Sequence, residues 1–189
     1  MNVYDFDKTL YDGDSTVDFF LFALKRQPSL IRYIPRQALG FLRYGLKQIE
    51  KTELKESFFS FLSGIDAQAM VEDFWKQNNR KIFKWYLDQQ QEDDIIISAS
   101  PEFLLAPICR QLGIAHLIAS KVDRHCGKFT GKNCRGAEKV RRLAVEYAVT
   151  HIDSFYSDSL SDLPLAQIAD QAFLIKNGAV TPWDLRQSS

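Results

Sequence analysis

Asp5-Phe6-Asp7-Lys8-Thr9 follows a short apolar lead-in that is typical of a buried β-strand. Two carboxylates spaced two residues apart along a strand point to the same face. At the C-terminal end of a parallel strand they would lie in the crevice where open α/β sheets bind ligands. We interpret this stretch as the start of an active site for a phosphate ester. The alternative is a pair of loop aspartates without a chemical role.

The segment that follows has the periodicity of helices. Apolar residues recur at helical spacing from Val17, and further helical runs cover residues 53–62 and 67–87. The alternation that is typical of strands does not occur before Asp93. We therefore predict that residues 14–89 form a compact all-α insertion.

Short apolar strands alternate with helices in the rest of the chain. The predicted strands cover residues 95–97, 116–119, 155–156 and 172–175, and the predicted helices cover residues 103–112, 135–149 and 163–168. This alternation indicates an α/β fold with a mostly parallel, doubly wound sheet. We expect a core domain of residues 1–13 and 90–189, with residues 14–89 as a helical cap, or lid, above the crevice.

The composition limits the class of protein. At 189 residues the chain is long enough for one domain, or for a core with a modest insertion. Lysine plus arginine and aspartate plus glutamate number 24 each, and the net charge of zero argues against a nucleic-acid binder. Cys109, Cys126 and Cys134 are odd in number and lack metal-site spacing, which favours reduced thiols in a cytoplasmic protein.

The sequence predicts neither a stable membrane span nor a signal peptide. The most apolar stretch near mid-chain, residues 95–120, is interrupted by Glu102 and Arg110. The first predicted strand begins at Asn2, where a signal peptide would have to lie. We therefore expect a cytoplasmic location.

Residues 98–101 lie where a predicted strand passes into a predicted helix. We expect Ser100 to be the N-cap and Pro101 to occupy the first helical position. Free backbone N–H groups at a helix start, including that of Ala99, can bind phosphate, and the Ser98 hydroxyl could donate to the same oxygens. The alternative is an ordinary helix cap.

Two later segments carry suitable charges. Lys139 follows Gly136 on the inward edge of a predicted helix and could neutralise phosphate or carboxylate charge, although a lysine often extends to solvent instead. Asp158 and Asp162 follow the next strand and could face one metal ion, although an ordinary Asp/Ser turn has the same composition.

A metal ion would explain the acidic residues if they converge. Two like charges about 4 Å apart cost roughly 4 kcal/mol at an effective dielectric constant of 20. Asp5, Asp7, Asp158 and Asp162 would therefore repel one another strongly unless a divalent cation lay between them. Mg²⁺ suits a site that offers few carboxylates, water and substrate phosphate.

The four segments, in this order, resemble the four motifs of the haloacid dehalogenase superfamily of aspartyl-phosphate phosphatases. The helical insertion after the first motif is similar to that of subfamily I, and the details resemble its phosphoserine phosphatase-like branch. The resemblance covers residues 1–13 and 90–189 and implies a Rossmann-like fold, a Mg²⁺ cofactor and a phosphorylated small molecule as substrate.

The resemblance also implies roles for individual residues. Asp5 would be the nucleophile and Asp7 the general acid and base. Ser98 and Lys139 would bind the phosphate. Asp158 and the Asp7 carbonyl would bind the metal ion, with support from Asp162. Asp14 would contact the substrate. Asp14 occupies the position at which phosphoserine phosphatases carry an acidic residue for the substrate ammonium group.

Two observations point to a lipid-linked substrate or a membrane contact. Arg26-Gln27-Pro28 and Cys134-Arg135 resemble relatives of phosphatidylglycerophosphatase C, which implies a lipid head group. Between residues 19 and 49 the chain has six basic residues, interleaved aromatic residues and no acidic residue. Such helices can contact an anionic membrane peripherally. The alternative is a lid whose apolar face packs on the core and whose basic face is solvated.

We therefore predict a Mg²⁺-dependent phosphomonoester hydrolase that acts on a small or lipid-linked phosphate. The alternatives are a phosphoserine phosphatase, a non-hydrolytic protein that binds a phosphorylated ligand, and a phosphotransferase.

Overall fold

A computed structural model describes residues 1–185. Its centre is a six-stranded sheet in the order β3-β2-β1-β4-β5-β6. The strands are β1 (Asn2–Tyr4), β2 (Ile95–Pro101), β3 (His116–Ser120), β4 (Ile152–Ser157), β5 (Ala169–Lys176) and β6 (Ala179–Pro182). The first five are parallel, and β6 pairs with β5 in antiparallel orientation. Helices lie on both faces, so the predicted α/β, doubly wound fold is confirmed.

Helices fill the segment between β1 and β2. They are α1 (Ser15–Arg26), α2 (Ile34–Gly45), α3 (Lys51–Phe59), α4 (Ala67–Asn78) and α5 (Lys84–Gln89). The core carries α6 (Glu102–Gln111), α7 (Ala137–Tyr147) and α8 (Leu163–Ala166). Residues 186–189, the end of the expected core domain, lie outside the described residues. Within residues 1–185, no helix combines the length and the apolar character that crossing a bilayer requires.

The prediction of one helical run over residues 67–87 is wrong near residue 80, where the helix is interrupted. A 3₁₀ turn at Asn79–Lys81 separates α4 from α5. Here the backbone pairs with the loop after β1: Asp12 donates to the Lys81 carbonyl at 2.8 Å, and Phe83 donates to the Leu10 carbonyl at 2.8 Å. Because these groups bond to a distant part of the chain, they cannot continue the helix.

The prediction that Ser100 caps a helix is also wrong. Strand β2 continues to Pro101, which is the N-cap of α6, and Ser100 forms no cap hydrogen bond. The Ser100 hydroxyl donates instead to the Asp7 carboxylate. The antiparallel hairpin of β5 and β6 was not predicted.

Packing differs on the two faces of the sheet. On one face Val3, Ile97 and Phe155 are buried under α7 and α8. On the other face Tyr4 stacks on Tyr156 with ring centroids 4.6 Å apart, within a cluster that includes many aromatic residues of the cap. Since cap and core share this cluster, α1 and α3 are held above the C-terminal ends of the strands.

Candidate active site

A cavity of about 340 Å³ opens at the C-terminal edge of the sheet. It contains every residue that the sequence analysis singled out for the site. These are Asp5, Asp7, Asp14, Ser98, Ala99, Lys139, Asp158 and Asp162. The topology explains the convergence: β1 lies between β2 and β4, so the loops after these three strands meet at one edge.

Lys139 bridges two carboxylates at the base of the cavity. Its ammonium donates to Asp5 Oδ1 at 2.7 Å and to Asp162 Oδ2 at 2.7 Å, and the residue is only 2 % exposed. Gly136 caps α7 with φ 57° and ψ −130°, a conformation that L-residues rarely adopt. This turn starts α7 at the cavity, so that Lys139 reaches inward in the first turn of the helix. Ser157 also donates to Asp162 Oδ2, at 2.9 Å.

Both carboxylate oxygens of Asp7 accept hydrogen bonds. Its Oδ1 accepts from the Ser15 backbone N–H at 2.7 Å, and its Oδ2 accepts from the Ser100 hydroxyl. Ser100 in turn contacts the Thr16 hydroxyl at 3.1 Å. These contacts fix the carboxylate of Asp7 between the start of α1 and the end of β2.

Asp14 lines the cavity and also caps α1. Its Oδ1 accepts from the backbone N–H groups of Thr16 at 3.1 Å and Val17 at 3.0 Å. One carboxylate oxygen of Asp14 therefore accepts the N-cap hydrogen bonds of α1.

Burial controls the ionisation of the acidic groups. It raises the pKa of Asp5 to about 7, although the Lys139 ammonium opposes this change. Burial and the charge of Asp14 raise the pKa of Asp7 to about 6. Burial also disfavours the charged form of Lys139, but the carboxylates of Asp5 and Asp162 outweigh it and raise the pKa of Lys139. The site thus combines a buried lysine whose charge is stabilised by two carboxylates with two carboxyl groups whose pKa burial raises.

Ser98 and Ala99 line the cavity from the last residues of β2. Ser98 is 1 % exposed, and its hydroxyl oxygen accepts from the Ser100 backbone N–H at 3.1 Å. The Ala99 carbonyl accepts from the Lys55 ammonium at 2.8 Å. The end of β2 therefore contributes a hydroxyl to the cavity that Asp5 also lines.

The carboxylates of the cavity differ in how free they are to bind a metal ion. Asp158 follows β4 next to β1, its carboxylate is half-buried, and its backbone N–H donates to Thr9 Oγ1 at 3.0 Å. Asp162 is occupied by Lys139 and Ser157. In residues 1–185 no group of three or more histidine, cysteine, aspartate or glutamate side chains is arranged to hold a metal. Asp5 and Asp158 still suit Mg²⁺, which binds through one or two carboxylates together with substrate phosphate and water.

The cap side of the cavity carries charges that the sequence analysis did not identify. Lys51 and Lys55 on α3 and Arg135 of the core line it. Burial and the neighbouring Lys51 lower the pKa of Lys55 to about 8. The spacing of Lys51 and Lys55, four residues apart on one helix face, is a signal that could have indicated this role. Ser100 and Thr9 gave no such signal, because their partners are distant in sequence.

The model of the haloacid dehalogenase-like hydrolase family matches residues 3–167. The chain therefore belongs to this family, as the four motifs predicted.

Two curated proteins illustrate the relationship. A probable phosphatase of Mycobacterium tuberculosis is 35 % identical over 91 residues, which are 44 % of this chain and 31 % of that protein. This chain thus matches about a third of the length of that relative. Protein CicA of Caulobacter vibrioides is 28 % identical over 195 residues, which cover 89 % of this chain and 82 % of CicA.

Solved structures share the fold of this chain. A protein of unknown function from Bordetella pertussis has a TM-score of 0.73 at 23 % identity, covering 91 % of this chain and 87 % of its own. A phosphoserine phosphohydrolase-like protein from Francisella tularensis has a TM-score of 0.58 at 14 % identity, with 90 % and 84 % covered. The chain thus has the fold of these two proteins.

Proposed function

We propose that this protein is a Mg²⁺-dependent phosphomonoester hydrolase that works through an aspartyl-phosphate intermediate on Asp5. The observation that carries the proposal is the Lys139 bridge: one buried cation holds Asp5 Oδ1 at a cavity that Asp5 and Ser98 both line. This arrangement suits attack by a carboxylate on a phosphoryl group.

Asp5 and Asp7 divide the chemistry between them. An oxygen of Asp5 forms a bond to phosphorus, and the bond from phosphorus to the ester oxygen breaks. Asp7 gives its proton to the leaving alkoxide, and then takes a proton from the water that cleaves the aspartyl phosphate. Hydrolysis returns Asp5 as a free carboxylate and releases inorganic phosphate. A pKa of about 6 suits Asp7 to both proton transfers near neutral pH.

The phosphoryl oxygens have three proposed partners: the Ser98 hydroxyl, the Ala99 backbone N–H and the Lys139 ammonium. Asp5 and Asp158 would hold Mg²⁺ together with the Asp7 carbonyl, and Asp162 would support this site by orienting Lys139. The ion would supply charge neutralisation at the phosphoryl group.

The cap is proposed to select the substrate. Residues 14–89 would act as a lid on a core of residues 1–13 and 90–189. Lys51, Lys55 and Arg135 favour a phosphate ester that carries further negative charge, and Phe41 and Phe58 offer it an apolar surface. A small phosphorylated molecule and a lipid-linked phosphate both fit this description. The proposal includes a peripheral membrane contact of the basic cap, and a cytoplasmic location, which the unpaired cysteines Cys109, Cys126 and Cys134 support.

Phosphoserine is the second candidate substrate. A relative from Mycobacterium tuberculosis bears the name phosphoserine phosphatase, and Asp14 lies in the cavity where an ammonium group could meet it. Asp14 would have to bind this group while it caps α1.

The test is phosphate release by the purified protein. With Mg²⁺ it is expected to hydrolyse an aryl phosphate, to lose activity on chelation and to regain it when Mg²⁺ returns. A screen of phosphoamino acids, sugar phosphates, nucleotides and phosphatidylglycerophosphate would then rank the substrates. Binding without release would indicate a non-hydrolytic protein, and transfer to a second sugar would indicate a phosphotransferase. Either result would overturn the proposal.

A further inference from the structure

Helix α2 leaves most of its apolar surface uncovered. Only Gln37 and Gly40 of its residues are buried, and Gly40 packs against Ser57 of α3. On the outer side Leu39 is 54 % exposed and Leu42 is 59 % exposed. An amphipathic helix of a globular protein normally turns such residues to the core. In helix α2, Leu39 and Leu42 face solvent instead.

Helix α4 of the same cap shows the usual arrangement. Its apolar residues Val71, Phe74 and Trp75 are at most 1 % exposed. Exposed large apolar residues are thus absent from α4 but recur along residues 19–49, where Leu21, Ile31 and Leu46 are also more than half exposed. The interpretation of residues 19–49 in which the apolar face packs on the core does not describe Leu39 and Leu42 of α2.

Basic residues surround the exposed leucines. Arg36 lies three residues before Leu39 and Arg43 four residues after it, so both flank it on the same side of the helix. Between residues 19 and 49 there are six basic residues and no acidic one. Among the described residues, the only one of the six in an ion pair is Arg26, which pairs with Asp73 at 2.9 Å.

Phe41 of the same helix lines the cavity and is itself 54 % exposed. It is two residues from Leu39, which places it about 160° away around the helix axis. The cavity therefore lies on a different side of α2 from Leu39 and Leu42.

The charge of α2 distinguishes two possible occupants. A second copy of this chain would have to present the same patch to itself in a two-fold dimer. Two basic surfaces without an acidic residue would then face each other, which is unfavourable. An anionic lipid surface complements both the arginines and the leucines.

We propose that α2 is an interfacial helix that docks this protein on anionic membranes, with Leu39 and Leu42 in the boundary between head groups and acyl chains. Arg36 and Arg43 contact lipid phosphates. The docking does not depend on the proposed phosphatase activity; only the delivery of a lipid-linked substrate to Asp5 rests on it.

The test is co-flotation of the full-length protein with lipid vesicles. The protein is expected to float with vesicles of equal parts phosphatidylcholine and phosphatidylglycerol, and not with phosphatidylcholine alone. Each arginine near the surface contributes about fivefold to binding. The double variant Arg36→Gln/Arg43→Gln should therefore bind about 25-fold more weakly, and Leu39→Ser/Leu42→Ser should also lose binding. Matched controls are Arg80→Gln and Val145→Ser, exposed residues outside this surface.

The outcomes separate docking from catalysis. The Leu39→Ser/Leu42→Ser variant should hydrolyse a water-soluble aryl phosphate like the unmodified protein, and the Asp5→Asn variant should still float with the vesicles. Docking is overturned if the unmodified protein stays unbound, if the controls lose as much binding as the α2 variants, or if sedimentation shows a dimer that the leucine variant abolishes. Loss of aryl phosphate hydrolysis in the unmodified protein would instead count against the proposed function alone.

Discussion

Core residues line one side of the cavity, the core wall, and α3 of the cap lines another, the cap wall. The lysines of these two walls have different hydrogen-bond partners. On the core wall, Lys139 donates to the carboxylates of Asp5 and Asp162, both at 2.7 Å. On the cap wall, Lys55 donates only to neutral oxygens, the Ala99 carbonyl at 2.8 Å and the Asn133 side chain at 3.0 Å. Accordingly the pKa of Lys139 is raised, whereas burial lowers the pKa of Lys55 to about 8.

The different partners of the two lysines suggest different roles for the two walls. The buried cation of the core wall is neutralised by its own chain, so it holds the reacting groups in place before any ligand binds. Within residues 1–185, the cations of the cap wall lack such a partner, and they would gain most from a ligand that brings negative charge. Under the proposed function, the core wall therefore determines the reaction and the cap wall determines which phosphate ester enters.

The largest expected effect concerns the nucleophile. Asp5→Asn should lower kcat for an aryl phosphate by at least about 10³-fold, because an amide oxygen cannot carry the covalent step. The matched control is Asp170→Asn, an exposed residue on β5, which should retain full activity. Activity in the Asp5→Asn protein close to that of the control would contradict the covalent mechanism.

Breaking the bridge on the core wall should affect stability as well as activity. Lys139→Met leaves the carboxylates of Asp5 and Asp162 buried without their cation, which should cost about 3 kcal/mol of unfolding free energy. Denaturant titration in the absence of Mg²⁺ measures this change. A loss below about 1 kcal/mol would mean that the bridge does not neutralise the core wall. Lys121→Met, at an exposed position, is the control and should leave the stability nearly unchanged.

The cap wall should instead affect substrate binding. Lys55→Met should raise KM by about tenfold for an ester with a second anionic group, because a charged hydrogen bond is lost, while kcat changes little. A suitable pair of substrates is 3-phosphoglycerate and glycerol 3-phosphate, which differ by one carboxylate. An equal rise in KM for both substrates would show that Lys55 does not recognise the second charge.

The smallest expected effect is on pH dependence. Since burial lowers the pKa of Lys55 to about 8, its ammonium is charged below that pH and neutral above it. The preference for 3-phosphoglycerate over glycerol 3-phosphate should therefore decline as the pH rises through about 8. In Lys55→Arg the preference should persist, because a guanidinium stays charged. A preference that declines equally in both proteins would assign the effect to another group.

The sequence was most informative where function and local structure coincide. The apolar strands and the residues of the four motifs were predicted, because strand periodicity and strand ends are local properties. The interruption between α4 and α5 was not, since it depends on bonds from Lys81 and Phe83 to residues about 70 positions away. The contact of Ser100 with Asp7 was missed for the same reason. Likewise, the outward apolar side of α2 could not be predicted, because periodicity does not say which face another element covers.

The most direct test of the central claim is to trap the intermediate on Asp5. The protein would be mixed with Mg²⁺ and an aryl phosphate, quenched in acid within one turnover and digested, and the peptide that contains residue 5 would be sequenced by mass spectrometry. Our account predicts the mass of one phosphoryl group on Asp5, and no such mass in the Asp5→Asn protein. Phosphate release without any phosphorylation of Asp5, at full rate in the Asp5→Asn protein, would contradict it.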